Sequence, residues 1–498
     1  MTGKVWLVGA GPGDAGLLTR KGYEVLEQAE VVVYDSLVSD AILSLMPEAA
    51  KKIDAGKRAG NHKLRQEETN KVLLEEALKG QRVVRLKGGD PFLFGRGGEE
   101  LELLQENNVP YEVIPGITSA ISVPAYNGIP VTHRDFVSSV HIITGHKKEG
   151  EEYNIDFEAL VRTKGTLVFL MGVRALKDIC GSLIKAGMSP DMPAAILQQG
   201  TTAGQRRVVA TVSTLDEEAT KAKIGSPGII VVGEVCTLAD TYCWFERLPL
   251  FGAKVLLTRP RELASTMATK LRTMGAEVIE LPAIKTEPIK DNTKLIEALD
   301  NISKYEWVAF TSPSGVRIFF EEMDKANKDV RSLGNIKVAA LGEGTKKELK
   351  AHGIIADLMP TVYDGESLGE ELAKVATPGA SILLPRAAIG NHEIIDKLAG
   401  FNVDDIPTYD TVSCTQDVLD IKAEVEEGKI KCAVFTSSSS VKAFANAYKD
   451  VDFGKVNAVC IGKQTLATAK ELGMKCTMSE KATTDSLLDA VVKFNQEN

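Results

Sequence analysis

Three stretches of this sequence set small, flexible residues beside polar ones, as a turn that holds a small polar ligand requires. Gly9-Ala-Gly-Pro-Gly-Asp14 follows the apolar run Val5 to Val8, and its glycines permit left-handed backbone and close approach of a ligand to main-chain amides. It is not the dinucleotide fingerprint, because Asp14 stands where the last glycine of that motif falls and Pro12 stiffens the middle. Lys87-Gly-Gly-Asp-Pro-Phe92 follows Val83 to Leu86, with further glycines at Gly95, Gly97 and Gly98; it exposes backbone and offers the Asp90 carboxylate. Pro115-Gly-Ile-Thr-Ser-Ala120 puts hydroxyls at a helix start, where free amides hold a carboxylate or a polar edge. Each alone reads more often as a tight turn, but all three on one α/β unit point to a nucleoside-like ligand.

Acid and base groups stand nearby. Asp35 ends the strand Val31 to Tyr34, and Lys57 sits beside Arg58. Taken as residues only, an aspartate capping a turn and a lysine on the surface account for both. Lys51, Lys52, Lys57, Arg58, His62, Lys63 and Arg65 form a basic stretch that His133 and Arg134 extend. It suits either a polyanionic ligand or a solvated face.

The elements that carry these residues alternate short β-branched runs, such as Val83 to Leu86, Thr166 to Leu170 and Ile229 to Val232, with helical patterns such as Gln66 to Leu78. That rhythm is α/β. It stops at an aromatic and proline cluster, Trp244 to Gly252, and a second series starts at Lys254. The second series is internally duplicated. Val308-Ala-Phe-Thr-Ser-Pro-Ser-Gly-Val316 returns as Ala433-Val-Phe-Thr-Ser-Ser-Ser-Ser-Val441, Val338-Ala-Ala-Leu-Gly-Glu-Gly-Thr345 as Ala458-Val-Cys-Ile-Gly-Lys-Gln-Thr465, and Val255-Leu-Leu-Thr-Arg-Pro260 as Ile382-Leu-Leu-Pro-Arg386. Matched strand-turn-helix units in the same order predict two similar doubly wound lobes with ligand loops at the strand carboxyl ends. Their hydroxyl-rich turns either cap helices or bind substrate, and both roles can coexist.

Bulk composition limits the partners. With 498 residues the chain exceeds one core, and 44% hydrophobic with 26% charged residues is ordinary for folded globular protein. A net charge of -9 argues against nucleic acid held by a general field. The seven cysteines form no Cys-x-x-Cys pair, so neither metal nor a disulfide framework is indicated. No signal peptide and no membrane span is visible, and a cytoplasmic location is expected.

Gly9-Ala-Gly-Pro-Gly-Asp14, Tyr34-Asp-Ser-Leu-Val-Ser39, Gly56-Lys-Arg58, Gln66-Glu-Glu68, Val84-Arg-Leu-Lys-Gly-Gly-Asp-Pro-Phe92 and Gly128-Ile-Pro-Val-Thr-His-Arg-Asp135 carry a family resemblance. Residues 1–247 resemble uroporphyrinogen-III C-methyltransferase, with the two-subdomain tetrapyrrole methylase fold divided at about 113/114. The resemblance implies that S-adenosyl-L-methionine lies between the subdomains against Pro12, Gly88, Gly89, Asp90, Leu93, Thr118, Ser119, Met171 and Gly200, without metal. It further implies Asp35 as proton acceptor, Lys57 as proton donor, Arg58 at the substrate, uroporphyrinogen III methylated twice to precorrin-2, and a homodimer through this half. Siroheme and cobalamin are both open as destinations.

Residues 253–498 resemble uroporphyrinogen-III synthase through the paired Phe-Thr-Ser turns, Gly342-Glu-Gly-Thr345, Leu384-Pro-Arg-Ala387, Pro407-Thr-Tyr-Asp-Thr411 and Ile461-Gly-Lys-Gln-Thr465. The implied fold has one lobe at 253–286 plus 412–498 and the other at 287–411. The implied reaction removes water from hydroxymethylbilane and closes the ring with inversion of its last pyrrole. Tyr409 is then the group that helps water leave, and Thr311, Ser312, Thr345, Thr436, Ser437, Ser438 and Thr465 bind substrate carboxylates. Two other readings stay open: a methyltransferase for a later precorrin, and a second half that is a two-lobed binding module without turnover.

Overall fold

The computed structural model describes residues 2–56, 65–146, 154–258, 261–281, 284–389, 392–413 and 418–497. The chain divides into two compact units, Met1–Pro282 with Thr415–Asn498, and Ala283–Cys414.

Among the described residues the first unit holds three five-stranded sheets. One is fully parallel, in the order Lys51–Asp54, Val31–Tyr34, Arg82–Lys87, Lys4–Gly9, Tyr111–Ile114. Val31–Tyr34 is buried throughout, as expected where a parallel strand is covered on both faces and β-branched side chains fill each. The helix Gln66–Leu78 packs on this sheet through Leu73 and Ala77. Its start is fixed by Glu68, whose carboxylate accepts the Arg65 amide at 2.6 Å, and by the acidic pair Glu67 and Glu68 against the positive helix end. The second sheet runs Val140–Thr144, Thr166–Leu170, Gly228–Val232, Pro193–Gln198, Arg206–Thr211, with only its first pair parallel.

The third sheet, Glu277–Glu280, Lys254–Leu257, Cys432–Phe435, Asn457–Cys460, Lys475–Met478, is parallel. Among the described residues the second unit has one sheet, Ile284–Pro288, Asn402–Ser413, Ser381–Ala387, Trp307–Phe310, Lys337–Ala340. The duplication read from the sequence is visible here as matched positions: Lys254–Leu257, Cys432–Phe435 and Asn457–Cys460 neighbour one another in one sheet as Ser381–Ala387, Trp307–Phe310 and Lys337–Ala340 do in the other. The repeated turns also agree in backbone. Ser312 (φ -155°, ψ 154°) and Ser437 (φ -163°, ψ 157°) each cap the following helix, accepting the amides of Gly315 and Ser440.

No helix among the described residues is long and apolar enough to cross a membrane. No group of three or more His, Cys, Asp or Glu among them is arranged to hold a metal ion.

Candidate functional site

Because the first sheet is parallel, all its carboxyl ends point one way, and the turns after Lys4–Gly9, Val31–Tyr34, Arg82–Lys87 and Tyr111–Ile114 gather at one edge. Three of them touch. The amides and carbonyls of Gly11 and Gly89 pair reciprocally at 3.1 and 2.7 Å. A Cβ on Gly9 would stand 2.4 Å from the Gly116 Cα, and one on Gly116 would stand 2.2 Å from the Gly89 carbonyl oxygen. No side chain fits there, so glycine at these places is what lets the turns converge.

They frame a cavity of about 860 Å³, which lies in the upper part of the range for small-molecule sites. Pro12, Gly88, Gly89, Asp90, Leu93, Thr118, Ser119, Met171 and Gly200, drawn from separate segments, all line it, and so does Asp35. Its wall carries four of the ten described non-glycine residues with positive φ: Phe94 (55°), Arg96 (57°), Met171 (57°) and Gln199 (45°). Left-handed backbone at such residues costs about 1 to 3 kcal/mol each and concentrates where function fixes geometry. Asp90 serves first as a tie: one oxygen accepts the amides of Phe92 (2.8 Å) and Leu93 (3.1 Å), the other that of Gly116 (3.0 Å). Thr118 caps the helix Ser119–Tyr126 by accepting the Ala120 amide.

One wall is charged. Arg85 and Lys87 alternate on the central strand and are both buried, at 5% and 4% exposure. Period-two alternation puts them on the same face, and only an anion can make their burial tolerable. That anion is Glu100, fully buried, whose Oε1 accepts from Lys87 at 2.7 Å, Arg85 at 3.1 Å and Gln66 at 3.1 Å. Arg85 also lies 3.7 Å from Asp35, whose other oxygen accepts the Leu37 amide at 3.0 Å. Asp35 thus caps its turn and faces the cavity at once. Burial, reinforced by the Arg85 charge, pushes the Lys87 ammonium below its ordinary range, and Glu100 opposes that shift.

The sequence reading missed Arg85, Lys87, Glu100 and Gln66. A signal existed: two cations two residues apart inside an otherwise apolar strand must share a buried face and need a partner. Of the basic stretch at 51–65, the described residues Lys51 and Arg65 take different places. Lys51 pairs with Glu76 at 2.7 Å, and Arg65 lines the cavity. Lys57, Arg58, His62 and Lys63 lie outside the described residues. His133 and Arg134 do not line the cavity.

In the second unit, Tyr409 is buried at 5% exposure and its hydroxyl lies 2.7 Å from the Ser312 Oγ. Burial raises its hydroxyl above the ordinary range, against a smaller lowering by the Ser312 hydrogen bond and the Arg317 charge. Thr311 is partly exposed beside Ser312, whereas Thr345 is buried at the start of Glu343–Ala351. In the first unit the repeat places Thr436, Ser437 and Ser438 partly exposed and Thr465 buried in Lys463–Glu471. Thr345 and Thr465 are each 4% exposed, so their side chains present little surface to a ligand.

Comparison with known proteins assigns the two halves separately. The family described as Tetrapyrrole (Corrin/Porphyrin) Methylases matches residues 4–216, and Uroporphyrinogen-III synthase HemD matches residues 265–489. The porphyrin biosynthesis protein HemD of Ruminiclostridium josui is 46% identical over 498 residues, covering 100% of this chain and 99% of that one. A uroporphyrinogen-III C-methyltransferase of Bacillus subtilis (strain 168) is 43% identical over 354 residues, 71% of this chain and 72% of its own. Among solved structures, uroporphyrin-III C-methyl transferase from Thermus thermophilus complexed with S-adenyl homocysteine is 40% identical, covers 47% of this chain and 99% of its own, and has a TM-score of 0.41.

Proposed function

The chain belongs to the porphyrin-biosynthesis proteins that join a tetrapyrrole methylase to a uroporphyrinogen-III synthase, and from that premise we propose that it cyclises hydroxymethylbilane to uroporphyrinogen III and methylates that product twice. The observation that carries the methyltransferase half is the convergence of residues from separate turns on one cavity that also holds the Asp35 carboxylate, 3.7 Å from the buried Arg85 guanidinium.

S-adenosylmethionine, when bound, supplies a methyl group on a sulfonium. The cavity fits such a donor: nothing stands within 4 Å of where a Gly89 Cβ would be, so a ligand can approach the backbone closely there, Met171 and Leu93 give apolar surface to its base, and the volume leaves room for part of a macrocycle. Positioning of the pyrrole carbon against the methyl supplies much of the acceleration. Asp35 accepts the proton that the pyrrole carbon releases, with Arg85 and the Leu37 amide holding its carboxylate in place. Lys57 is assigned as proton donor and Arg58 as a substrate contact on the family resemblance alone. The guanidinium groups of Arg65, Arg96 and Arg174 on the cavity wall are suited to substrate carboxylates.

For the synthase half, Tyr409 donates to the departing hydroxyl of hydroxymethylbilane. The carbon–oxygen bond breaks, water leaves, and ring closure at the last pyrrole releases the balancing proton. Ser312 accepts the Gly315 amide and lies 2.7 Å from the Tyr409 oxygen, where either hydroxyl can be the donor; donation by Ser312 leaves the phenol hydrogen for the substrate. Its raised pKa keeps Tyr409 protonated for that role. Thr311, Thr436, Ser437 and Ser438 offer hydroxyls to substrate carboxylates. A cytoplasmic homodimer completes the proposal.

One incubation tests both halves. Hydroxymethylbilane with S-adenosylmethionine is expected to yield precorrin-2. Type I uroporphyrinogen as the sole cyclic product refutes the synthase assignment, and uroporphyrinogen III left without added methyl groups refutes the methyltransferase assignment.

A further inference from the structure

We propose that Glu277, which belongs to the carboxyl-terminal half, is a positioning residue for methyl transfer: it holds in place the loop 199–205 that walls the donor cavity. The inference rests on reading that cavity as the S-adenosylmethionine site.

The loop is held against its own preference. Gln199 and Gly200 line the cavity, and both Gln199 (φ 45°) and Thr201 (φ 71°) take left-handed backbone without being glycine. Such conformations persist only where the surroundings over-determine them. Several hydrogen bonds supply that determination, among them Gln199 N to the Pro227 carbonyl at 3.0 Å and Gln205 Nε2 to the Tyr126 carbonyl at 3.2 Å, and three more ties bear on the brace. The Thr201 amide donates to Gln205 at 2.9 Å, and the Asp14 amide of the first glycine turn donates to the Thr201 hydroxyl at 3.1 Å. The third tie comes from the strand Glu277–Glu280: the Ala203 amide donates to Glu277 Oε2 at 2.9 Å.

Glu277 is itself anchored. Its side chain is 8% exposed and lies 3.7 Å from the Lys254 ammonium, which also meets Glu424 at 2.7 Å and Asp40 at 3.1 Å. Asp40 opens the short helix Asp40–Leu43, directly after Asp35, Ser36 and Leu37 of the cavity wall. Just beyond that helix, the Ser44 hydroxyl accepts the Glu280 amide at 3.2 Å. The paired strands Glu277–Glu280 and Lys254–Leu257 therefore brace two segments that adjoin the cavity wall, at Ala203 and at Asp40 to Ser44. A loop freed from this brace populates other conformations, and the donor then pays for reordering it, which weakens binding without altering the groups that meet the reacting carbon.

The full chain tests this with two variants chosen to separate reach from charge. Glu277→Asp keeps a carboxylate beside Lys254 but withdraws it from the Ala203 amide; Glu277→Gln gives up the charge but keeps an oxygen at the same reach. Binding of S-adenosylhomocysteine is measured by calorimetry, KM and kcat by methyl transfer from S-adenosylmethionine, and folding by synthase turnover. Glu277→Asp is expected to raise Kd and donor KM about three- to ten-fold at unchanged kcat, with Glu277→Gln near wild type. Wild-type affinity in Glu277→Asp, or loss in Glu277→Gln alone, overturns the proposal, because either result assigns Glu277 only to its charge pair. If the wild type binds no S-adenosylhomocysteine, the cavity reading fails instead. Hydrogen exchange on the wild type decides the matter should a variant not fold: the Ala203 amide is expected to be protected, and protected further by S-adenosylhomocysteine. An Ala203 amide that exchanges equally with and without it overturns the proposal.

Discussion

Replacing Glu100 by glutamine removes one charge from a buried group of three and leaves Arg85 and Lys87 facing each other. Glu100 is fully buried and meets Lys87 at 2.7 Å and Arg85 at 3.1 Å. At these distances each attraction is worth roughly 5 kcal/mol at an effective dielectric of about 20, before desolvation is counted. The nearest remaining anion to Arg85 is Asp35, at 3.7 Å. Breaking a buried pair from one side typically costs about 3 to 5 kcal/mol, so the transition of the methyltransferase half should fall by roughly 6 to 20 °C at neutral pH. The loss must also depend on pH. Lys87 already sits below its ordinary 10.5, through burial first and the Arg85 charge second, and Glu100 is what opposes that shift. Without Glu100 it falls further. A lysine depressed on folding carries fewer protons folded than unfolded, so stability rises with pH between its folded value and 10.5. This rise is steeper in the variant. Thermal melts of wild type and Glu100→Gln from about pH 7 to about pH 9.5 should therefore show a gap that narrows upward, and adding Lys87→Met should recover much of it at neutral pH. A deficit under about 1 kcal/mol at neutral pH, or a gap constant or widening with pH, refutes the charge-burial reasoning.

Asp35→Asn should lower kcat of methyl transfer by about 10²- to 10⁴-fold while the Kd for S-adenosylhomocysteine stays within about two-fold; an unchanged kcat removes Asp35 as proton acceptor. Tyr409→Phe should slow enzymatic ring closure roughly a hundredfold and shift product toward the spontaneous type I isomer, read by chromatography of the oxidised porphyrins, and a full yield of type III at wild-type rate would contradict it. Hydrogen bonds from Lys21 and Lys4 hold the Glu112 carboxyl down to about 2 from its ordinary 4.5. A depressed carboxylate stabilises above its unfolded value and loses that contribution as pH falls through the folded one. Glu112→Gln should thus melt below wild type at neutral pH, with the difference closing between about 4.5 and about 2; a gap that does not change over this range argues against the shift.

Sequence alone determined whatever a short window encodes. The helix Gln66–Leu78 and the strands near Val31, Val83 and Thr166 stand where periodicity put them, and the duplicated turns at Ser312 and Ser437 share one backbone conformation. The glycine turns were also legible, because a missing Cβ is a local property. What the fold decided was which of these pieces meet. Gly9, Gly89 and Gly116 touch because parallel strands deliver their turns to one edge, and Glu100 pairs with Arg85 and Lys87 from the helix Gly97–Glu106. Tyr409 reaches Ser312 across 97 positions, and Glu277 reaches Ala203 across 74. The basic stretch at 51–65 shows the converse, since closeness in sequence did not bring Lys51 to the cavity that Arg65 lines. Backbone preference and hydrophobic period act over a few residues and survive in the linear chain, whereas pairing of buried charges and backing of a loop depend on distances that exist only once strands have chosen their neighbours.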